Sequence, residues 1–398
     1  MPRDPERVLR IVNGLREHQL DALICALPIN VLLLTGYCPI VGTSIAVITR
    51  DSEIVIVAPD DDVALASAGG ADEVKSFRSG SLDLLQSVTD SVRGSLRDVL
   101  HKLKLENARI GVEYDEVSQP ITYAAMHLYG RRLTDVIKEE FASAEFIPAD
   151  FLLTRLRSVK TEREIGRIKL ACEIAAGAFS DGAKQLHAGL TETDAATLFR
   201  AGLSKDVGKA RADGFVYCMS GRNGAEAYKS YQRSSDRRLA PGDLALIHCN
   251  SYVDGYWTDI TRTFCIGEIS EQKRTPYEAI LQARAAALAT VRSGVKCADV
   301  DRAAREVLRA QGFDREFKHG LGHGAGFEAI DHNAPPRLHP KSTDVLEVGM
   351  VFNVEPGLYM PAEYGIRHCD MVALTEKGPE LLTPFQIMSN GCHNDPLR

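Results

Sequence analysis

Gly189-Leu-Thr-Glu-Thr-Asp194 ends one long helical stretch and opens another, and Gly294-Val-Lys-Cys-Ala-Asp299 does the same 105 residues further on. Arg200 with Arg305, and Leu203 with Leu308, keep the same offset. A constant offset within a shared helix–turn–helix context argues for duplication rather than chance matching of common residues. A duplicated α+β half builds a domain with pseudo-two-fold symmetry, whose strands can meet in a central cleft. Strand-like runs follow each copy: Leu244-Ala-Leu-Ile-His-Cys and Thr261-Arg-Thr-Phe-Cys-Ile after the first, then Met350-Val-Phe-Asn-Val-Glu and Asp370-Met-Val-Ala-Leu after the second.

Upstream, helical and strand patterns alternate. A helix around Glu6–His18 precedes the apolar runs Ala22–Leu27, Ser44–Thr49 and Glu53–Ala58, and a helical stretch over Leu82–Leu105 precedes a strand at Arg109–Glu113. Strands separated by helices predict a sheet with crossover connections. Pro148 ends this pattern, and Thr161 with Glu164 forms a capping-box signature for the long helix beyond. The expected organisation is an α/β N-terminal domain over 1–150 and an α+β catalytic domain over 155–398.

Composition narrows the partners. With 398 residues, two cores are comfortable, and 44% hydrophobic with 25% charged residues is an ordinary globular balance. A net charge of −7 argues against a nucleic-acid partner, because phosphate binding needs a basic face. The charged opening Met1–Arg7 does not resemble a signal peptide, and no run approaches the roughly 18 apolar residues of a membrane span. Nine cysteines without a CxxC pair suit reduced, buried thiols, so a cytoplasmic location is expected.

Four polar patches interrupt the strands of the second segment: His248 to Phe264, His319-Gly-Leu-Gly-His323-Gly with His332 beyond, Asn353-Val-Glu355-Pro-Gly, and Gly365-Ile-Arg367-His-Cys369-Asp370. A carboxylate on an apolar strand is costly to bury unless paired, hydrogen-bonded or on a metal. Glu355 is expected at a strand end, and Asp259 in a similar position. The glycines around His319 and His323 predict a close backbone approach. Imidazole, carboxylate and thiol groups from four separate segments favour a metal or acid/base site over a structural network.

These motifs resemble the creatinase/prolidase/aminopeptidase P superfamily, peptidase family M24. The resemblance rests on Leu34-Thr-Gly-Tyr37 in the N-terminal domain and Leu156-Arg-Ser-Val-Lys160-Thr-Glu in the linker. It rests further on Asp259-Ile-Thr-Arg-Thr-Phe, Gly-His323-Gly and Glu355-Pro-Gly-Leu-Tyr in the catalytic domain. It implies a creatinase-type N-terminal domain, a pita-bread catalytic domain, a small-molecule substrate and a homodimer. In metallopeptidases of the family, two Asp, one His and two Glu hold two divalent ions. The second Asp, the His and the first Glu fall on Asp259, His323 and Glu355. The first Asp falls on His248, the last Glu on Cys369, and a further conserved His of the peptidases on Tyr228.

A neutral imidazole and a soft thiol cannot bridge two hard ions as carboxylates do. Two readings follow. In one, His248, Asp259, His323, Glu355 and Cys369 bind a single ion, Zn or Mn. In the other, which is preferred here, no metal binds and the cleft works by acid/base chemistry, as in creatinase. The expected reaction is hydrolysis of a C–N bond, amide or amidine, in a small polar substrate of the creatinase or ectoine-hydrolase kind. Glu355 would handle the proton beside Asp259, while His323 and His332 would stabilise the tetrahedral centre. Arg367, Tyr228 and His319 would bind substrate. An Arg367–Asp370 ion pair is an equal alternative for Arg367, and Cys369 as nucleophile ranks last. A metal-dependent Xaa-Pro dipeptidase with one ion is the alternative activity, and a non-enzymatic binding module is the second alternative.

Overall fold

The structure, a computed structural model, describes residues 3–39, 44–78, 88–113, 132–204, 210–229 and 233–384. The chain divides into two compact units, Met1–Arg157 and Ser158–Arg398. Cys392, Arg131 and the first part of the Leu82–Leu105 stretch lie outside the described residues.

In the first unit, the helix Pro5–Glu17 starts where Asp4 accepts the backbone N–H of Glu6 and Arg7, with proline in its first turn. The strands β1 (Ala22–Cys25), β2 (Ile45–Thr49), β3 (Ile54–Pro59), β4 (Glu73–Phe77), β5 (Arg109–Val112) and β6 (Glu145–Pro148) form one sheet in the order β4-β3-β2-β1-β5-β6. Every residue of β1 and β3 is buried, so these strands read as unbroken apolar runs instead of alternating ones. The pairs β3–β4, β1–β5 and β5–β6 are parallel, as crossover connections require. The pairs β1–β2 and β2–β3 are antiparallel, the second closed by the tight turn after Thr49 in which Ser52 takes a φ of 70°.

The second unit opens with the long helix Glu162–Gln185. Its capping box is complete: Thr161 N–H donates to Glu164 at 2.8 Å, and Glu164 N–H donates to the Thr161 hydroxyl at 3.3 Å. The internal echo is a structural repeat. The helices Glu192–Ala201 and Cys297–Ala310 follow turns in which Gly189 and Gly294 adopt φ of 96° and 84°. Each glycine N–H donates to a distant strand-like segment, Gly189 to Leu239 at 2.8 Å and Gly294 to Leu346 at 2.9 Å.

Strands β7 (Ala212–Ser220), β8 (Leu244–Val253) and β9 (Tyr256–Cys265) make an antiparallel sheet, while β10 (Val351–Val354), β13 (Asp370–Thr375) and β14 (Gly378–Leu381) make another. Between them in sequence, β11 (Gly357–Met360) and β12 (Tyr364–Arg367) pair as a hairpin. A bridge between Thr261 and Cys369 joins β9 to the entrance of β13, and the segment 321–325 lies antiparallel along β10, linked through the bridge Gly324–Phe352. The apolar back of β10 and β13, with Phe352, Val354 and Val372, packs against Ala283, Val300, Ala304 and Leu308 of the helices Glu271–Thr290 and Cys297–Ala310.

Side chains alternate across a sheet with a period of two. Register pairs His248 with Thr261 and Asn250 with Asp259, so these four share one face. The opposite face carries Arg262. Asp259 is not at a strand end. It lies inside β9, because the β8–β9 hairpin continues to a turn at Asp254-Gly255, where φ is 50° and 88°. The polar stretch before Asp259 is therefore hairpin, and its hydroxyls pair across it, Ser251 with Thr258 at 2.7 Å. Glu355 does follow directly on β10.

Candidate active site

Three side chains converge from three strand-like segments. Asp259 comes from the middle of β9, His323 from the segment beside β10, and Glu355 from the end of β10. One donor atom from each lies within 4.8 Å of the others, and all three residues are buried. Among the described residues, this is the His, Cys, Asp and Glu group whose geometry suits an ion.

His323 is aimed by its surroundings. Its Nδ1–H donates to the Gly324 carbonyl at 3.0 Å, so Nε2 faces Asp259 Oδ2 and Glu355 Oε1, each at 3.5 Å. A ring nitrogen anchored to a carbonyl while the other faces carboxylates is the orientation of a metal-ligating imidazole. Asn353 stands opposite on β10. Its Oδ1 accepts the His323 backbone N–H at 2.7 Å, and its Nδ2 lies 3.1 Å from Nε2. Gly322 makes this possible, since a Cβ there would collide with the Asn353 carbonyl.

Charge in the cluster is uneven. Burial opposes ionisation of Asp259, but His248, His323 and Arg367 outweigh it and hold the carboxyl down at about 2. Burial pushes Glu355 up to about 7, and Asp259 adds to this against the pull of His323 and Arg367. Burial also opposes charge on His323, yet Asp259 and Glu355 raise it above the ordinary histidine value. Below about pH 7 the cluster thus keeps a proton at Glu355, beside an Asp259 carboxylate and a His323 that holds its proton more tightly than a free imidazole. The donor set fits one divalent ion: two carboxylate oxygens and one imidazole nitrogen, converging and backed by hydrogen bonds.

His248 and Cys369 border the cluster, with His248 Nδ1 3.6 Å and Cys369 Sγ 3.7 Å from Asp259 Oδ1, and each also bonds other partners. His248 Nε2–H donates to Asn250 Oδ1 at 2.8 Å, so Nδ1 is the acceptor, for Arg367 Nη2 at 3.0 Å and for the Thr261 hydroxyl at 2.9 Å. Burial pushes this imidazole down to about 4, which keeps it neutral. The Cys369 thiol donates to the Asp259 carbonyl at 3.2 Å, and Asn353 Nδ2 donates to its sulfur at 3.5 Å. Burial, with Asp259 and Glu355 nearby, holds that thiol well above its ordinary range, so it is neither thiolate nor nucleophile at neutral pH.

The Arg367–Asp370 pair does not form. Arg367 ends β12 whereas Asp370 opens β13, where it lies behind the sheet with Arg262 at 2.6 Å, Arg284 and the Thr383 hydroxyl. Arg367 faces the cleft. Its Nε donates to Thr261 at 3.1 Å, and Nε lies 3.9 Å from Glu355 Oε2. Tyr359 links it to His319: Arg367 Nη1 donates to the Tyr359 hydroxyl at 3.4 Å, and that hydroxyl donates to His319 Nε2 at 2.8 Å. The Tyr228 ring lies 5.2 Å from the Tyr359 ring, and the His332 ring 4.8 Å from that of His323. Asn353, Asn250, Thr261 and Tyr359 are site residues that the sequence reading did not single out. A polar Asn353 inside the apolar run Met350–Val354 was the available signal.

Residues 166–376 match the metallopeptidase family M24, and residues 7–159 match the creatinase/prolidase N-terminal domain. The chain belongs to family M24. It is 28% identical over 378 residues to the Xaa-Pro dipeptidase of Pyrococcus furiosus, covering 95% of this chain and 97% of that one. Among solved structures, the prolidase from Pyrococcus horikoshii is similar with a TM-score of 0.75 at 26% identity, covering 96% of this chain and 99% of that one. The X-Pro aminopeptidase from Thermotoga maritima is similar with a TM-score of 0.77 at 27% identity, covering 94% and 98%. This M24 protein has the creatinase-type N-terminal domain and the pita-bread catalytic fold, and it is a hydrolase acting on C–N amide bonds. Family M24 peptidases use divalent metals, and Asp259, His323 and Glu355 form the candidate metal site here. Among the described residues, no helix is long and apolar enough to cross a membrane.

Proposed function

We propose that this chain hydrolyses small Xaa-Pro dipeptides with one divalent ion, Zn or Mn, held by Asp259, His323 and Glu355. The observation that carries the reading is His323 Nε2 directed between two carboxylates. Similarity to Xaa-Pro dipeptidases supports the peptide bond as the target over the amidine of a creatinase-like substrate. When bound, the ion supplies Lewis acidity toward a carbonyl or a water. Glu355, at the end of β10 beside the reacting centre, accepts a proton from the attacking water and passes it to the leaving nitrogen. His332, exposed beside His323, donates a hydrogen bond to the substrate carbonyl. The fixed charge of Arg367 favours the end of the substrate that carries a carboxylate, with Tyr228 and His319 around Tyr359 lining that end. A homodimer in the cytoplasm belongs to the same proposal and rests on the family resemblance and the reduced cysteines.

A metal-free C–N hydrolase is the second reading. It is favoured by the hydrogen bonds that already engage His248 with Asn250 and Arg367, and Cys369 with the Asp259 carbonyl, beside the three converging donors. Elemental analysis of the purified protein, combined with proline release from Gly-Pro and Leu-Pro, decides between them. The expected result is about one ion per chain, lost together with dipeptidase activity on chelation. Turnover of small amides or amidines that persists in chelator, with no ion bound, would establish the second reading instead. Glu355→Gln should abolish either activity with the circular dichroism spectrum unchanged.

A further inference from the structure

The face of β7–β9 that carries Asp259 also carries four aromatic side chains: Tyr217 opposite His248, and, further from the polar cluster, Phe215, Tyr252 and Trp257. Trp257 lies two residues before Asp259 on β9 and is paired in register with Tyr252 on β8. Phe215 lies on β7 opposite Asn250, the residue that pairs in turn with Asp259. Alternation therefore puts Phe215, Tyr252 and Trp257 on the face that carries His248, Asn250 and Asp259. The Trp257 ring is 4.7 Å from that of Tyr252 and 6.4 Å from that of Phe215, the latter pair with planes only 2° apart. All three are half-buried, while Asn250 beneath them is fully buried.

The shelf is also tied to the catalytic loop. Trp257 N–H donates to the Gly326 carbonyl at 2.6 Å, three residues beyond His323. Along β9, the same face presents Trp257, Asp259 and then Thr261, which accepts from Arg367. The reacting centre thus lies between an aromatic surface on one side and a fixed guanidinium on the other. At about 3.3 Å per residue, Trp257 and Thr261 are about 13 Å apart, enough for an extended dipeptide with its side chains. If the carboxylate end lies toward Arg367, the side chain of the residue before the scissile bond falls on the rings.

We propose that Trp257, with Phe215 and Tyr252, determines specificity by binding an apolar or aromatic side chain of the Xaa residue. This rests on reading the site as a dipeptide hydrolase. Aromatic surface offers stacking and area burial to a ring, and little to a glycine. Trp257 is the single tryptophan of the chain, so its fluorescence reports directly on the shelf.

The experiment has two readouts. Phe-Pro, Leu-Pro and Gly-Pro are titrated against the inactive Glu355→Gln protein while tryptophan emission is followed, and kcat/KM for the same dipeptides is compared in wild type, Trp257→Ala and Trp257→Phe. Phe-Pro and Leu-Pro should change the emission and Gly-Pro should not. The kcat/KM ratio of Phe-Pro to Gly-Pro should fall about tenfold in Trp257→Ala and be largely restored in Trp257→Phe. Equal emission changes for all three dipeptides, or an unchanged ratio in Trp257→Ala, would overturn the assignment. Failure of the functional reading looks different: no dipeptide is turned over by wild type, yet Phe-Pro still perturbs Trp257, and the shelf stands. Should Trp257→Ala not fold, Trp257→Phe and the fluorescence titration decide alone.

Discussion

Arg367 Nη2 donates to His248 Nδ1 at 3.0 Å, and this one contact fixes the tautomer of the imidazole and the position of the guanidinium together. A neutral acceptor holds the cation in place without cancelling its charge, so Arg367 still acts on Glu355, 3.9 Å away.

Removing that acceptor should be costly. His248→Ala removes the acceptor of a buried Arg367 N–H and the donor to Asn250 Oδ1, a loss of about 1–3 kcal/mol for each buried group. His248→Gln keeps a carbonyl for Arg367 and should recover part of this. Chemical denaturation of the three proteins checks it, and equal stability of His248→Ala and wild type would contradict the role of the contact.

Ion affinity should rise with pH. Burial pushes Glu355 up to about 7, and His323 is raised as well, so below that pH both keep protons that an ion must displace. Affinity is then highest above about pH 7 and falls up to about tenfold per pH unit for each proton displaced below it. Calorimetric titration of Zn or Mn between about pH 6 and about pH 8, in buffers of different ionisation enthalpy, reads both affinity and proton release. A flat profile without proton release would remove Glu355 from the ion site.

Behind the sheet, Asp370 is a buried carboxylate between Arg262 and Arg284. Although burial opposes its charge, Arg262, His368 and Arg284 hold its carboxyl well below the usual range. Such a group stabilises the fold above its unfolded value, about 3.9, and loses that contribution as pH falls below it. Asp370→Asn leaves the two arginines uncompensated, and a loss of about 3–5 kcal/mol is expected at neutral pH. The difference from wild type should shrink in acid, which denaturation at several pH values will show.

Gly322→Ala tests the approach of the His323 segment to β10. The added Cβ meets the Asn353 carbonyl and must move the segment that aims His323. Loss of both ion binding and activity is expected, with a lower Tm. Retention of the ion at unchanged stoichiometry would show that the segment tolerates the shift.

The duplicated Gly189 and Gly294 turns, the Thr161 cap, the apolar strands and the trio Asp259, His323 and Glu355 were legible in the sequence, because each depends on local periodicity, backbone conformation or a short motif. The family resemblance also placed His248 and Cys369 at ligand positions, and both are competent ligand types. What a ligand type does depends on which way its lone pair points. That was decided across strands: Asn250 and Arg367 claim both nitrogens of His248, and the Asp259 carbonyl takes the thiol of Cys369. The same holds for Arg367 and Asp370, three apart in sequence but on different strands, β12 and β13, and with different partners. Residue chemistry and local spacing were written in the chain, whereas proton positions, charge and facing arose only from long-range register, because hydrogen bonds between distant strands set them.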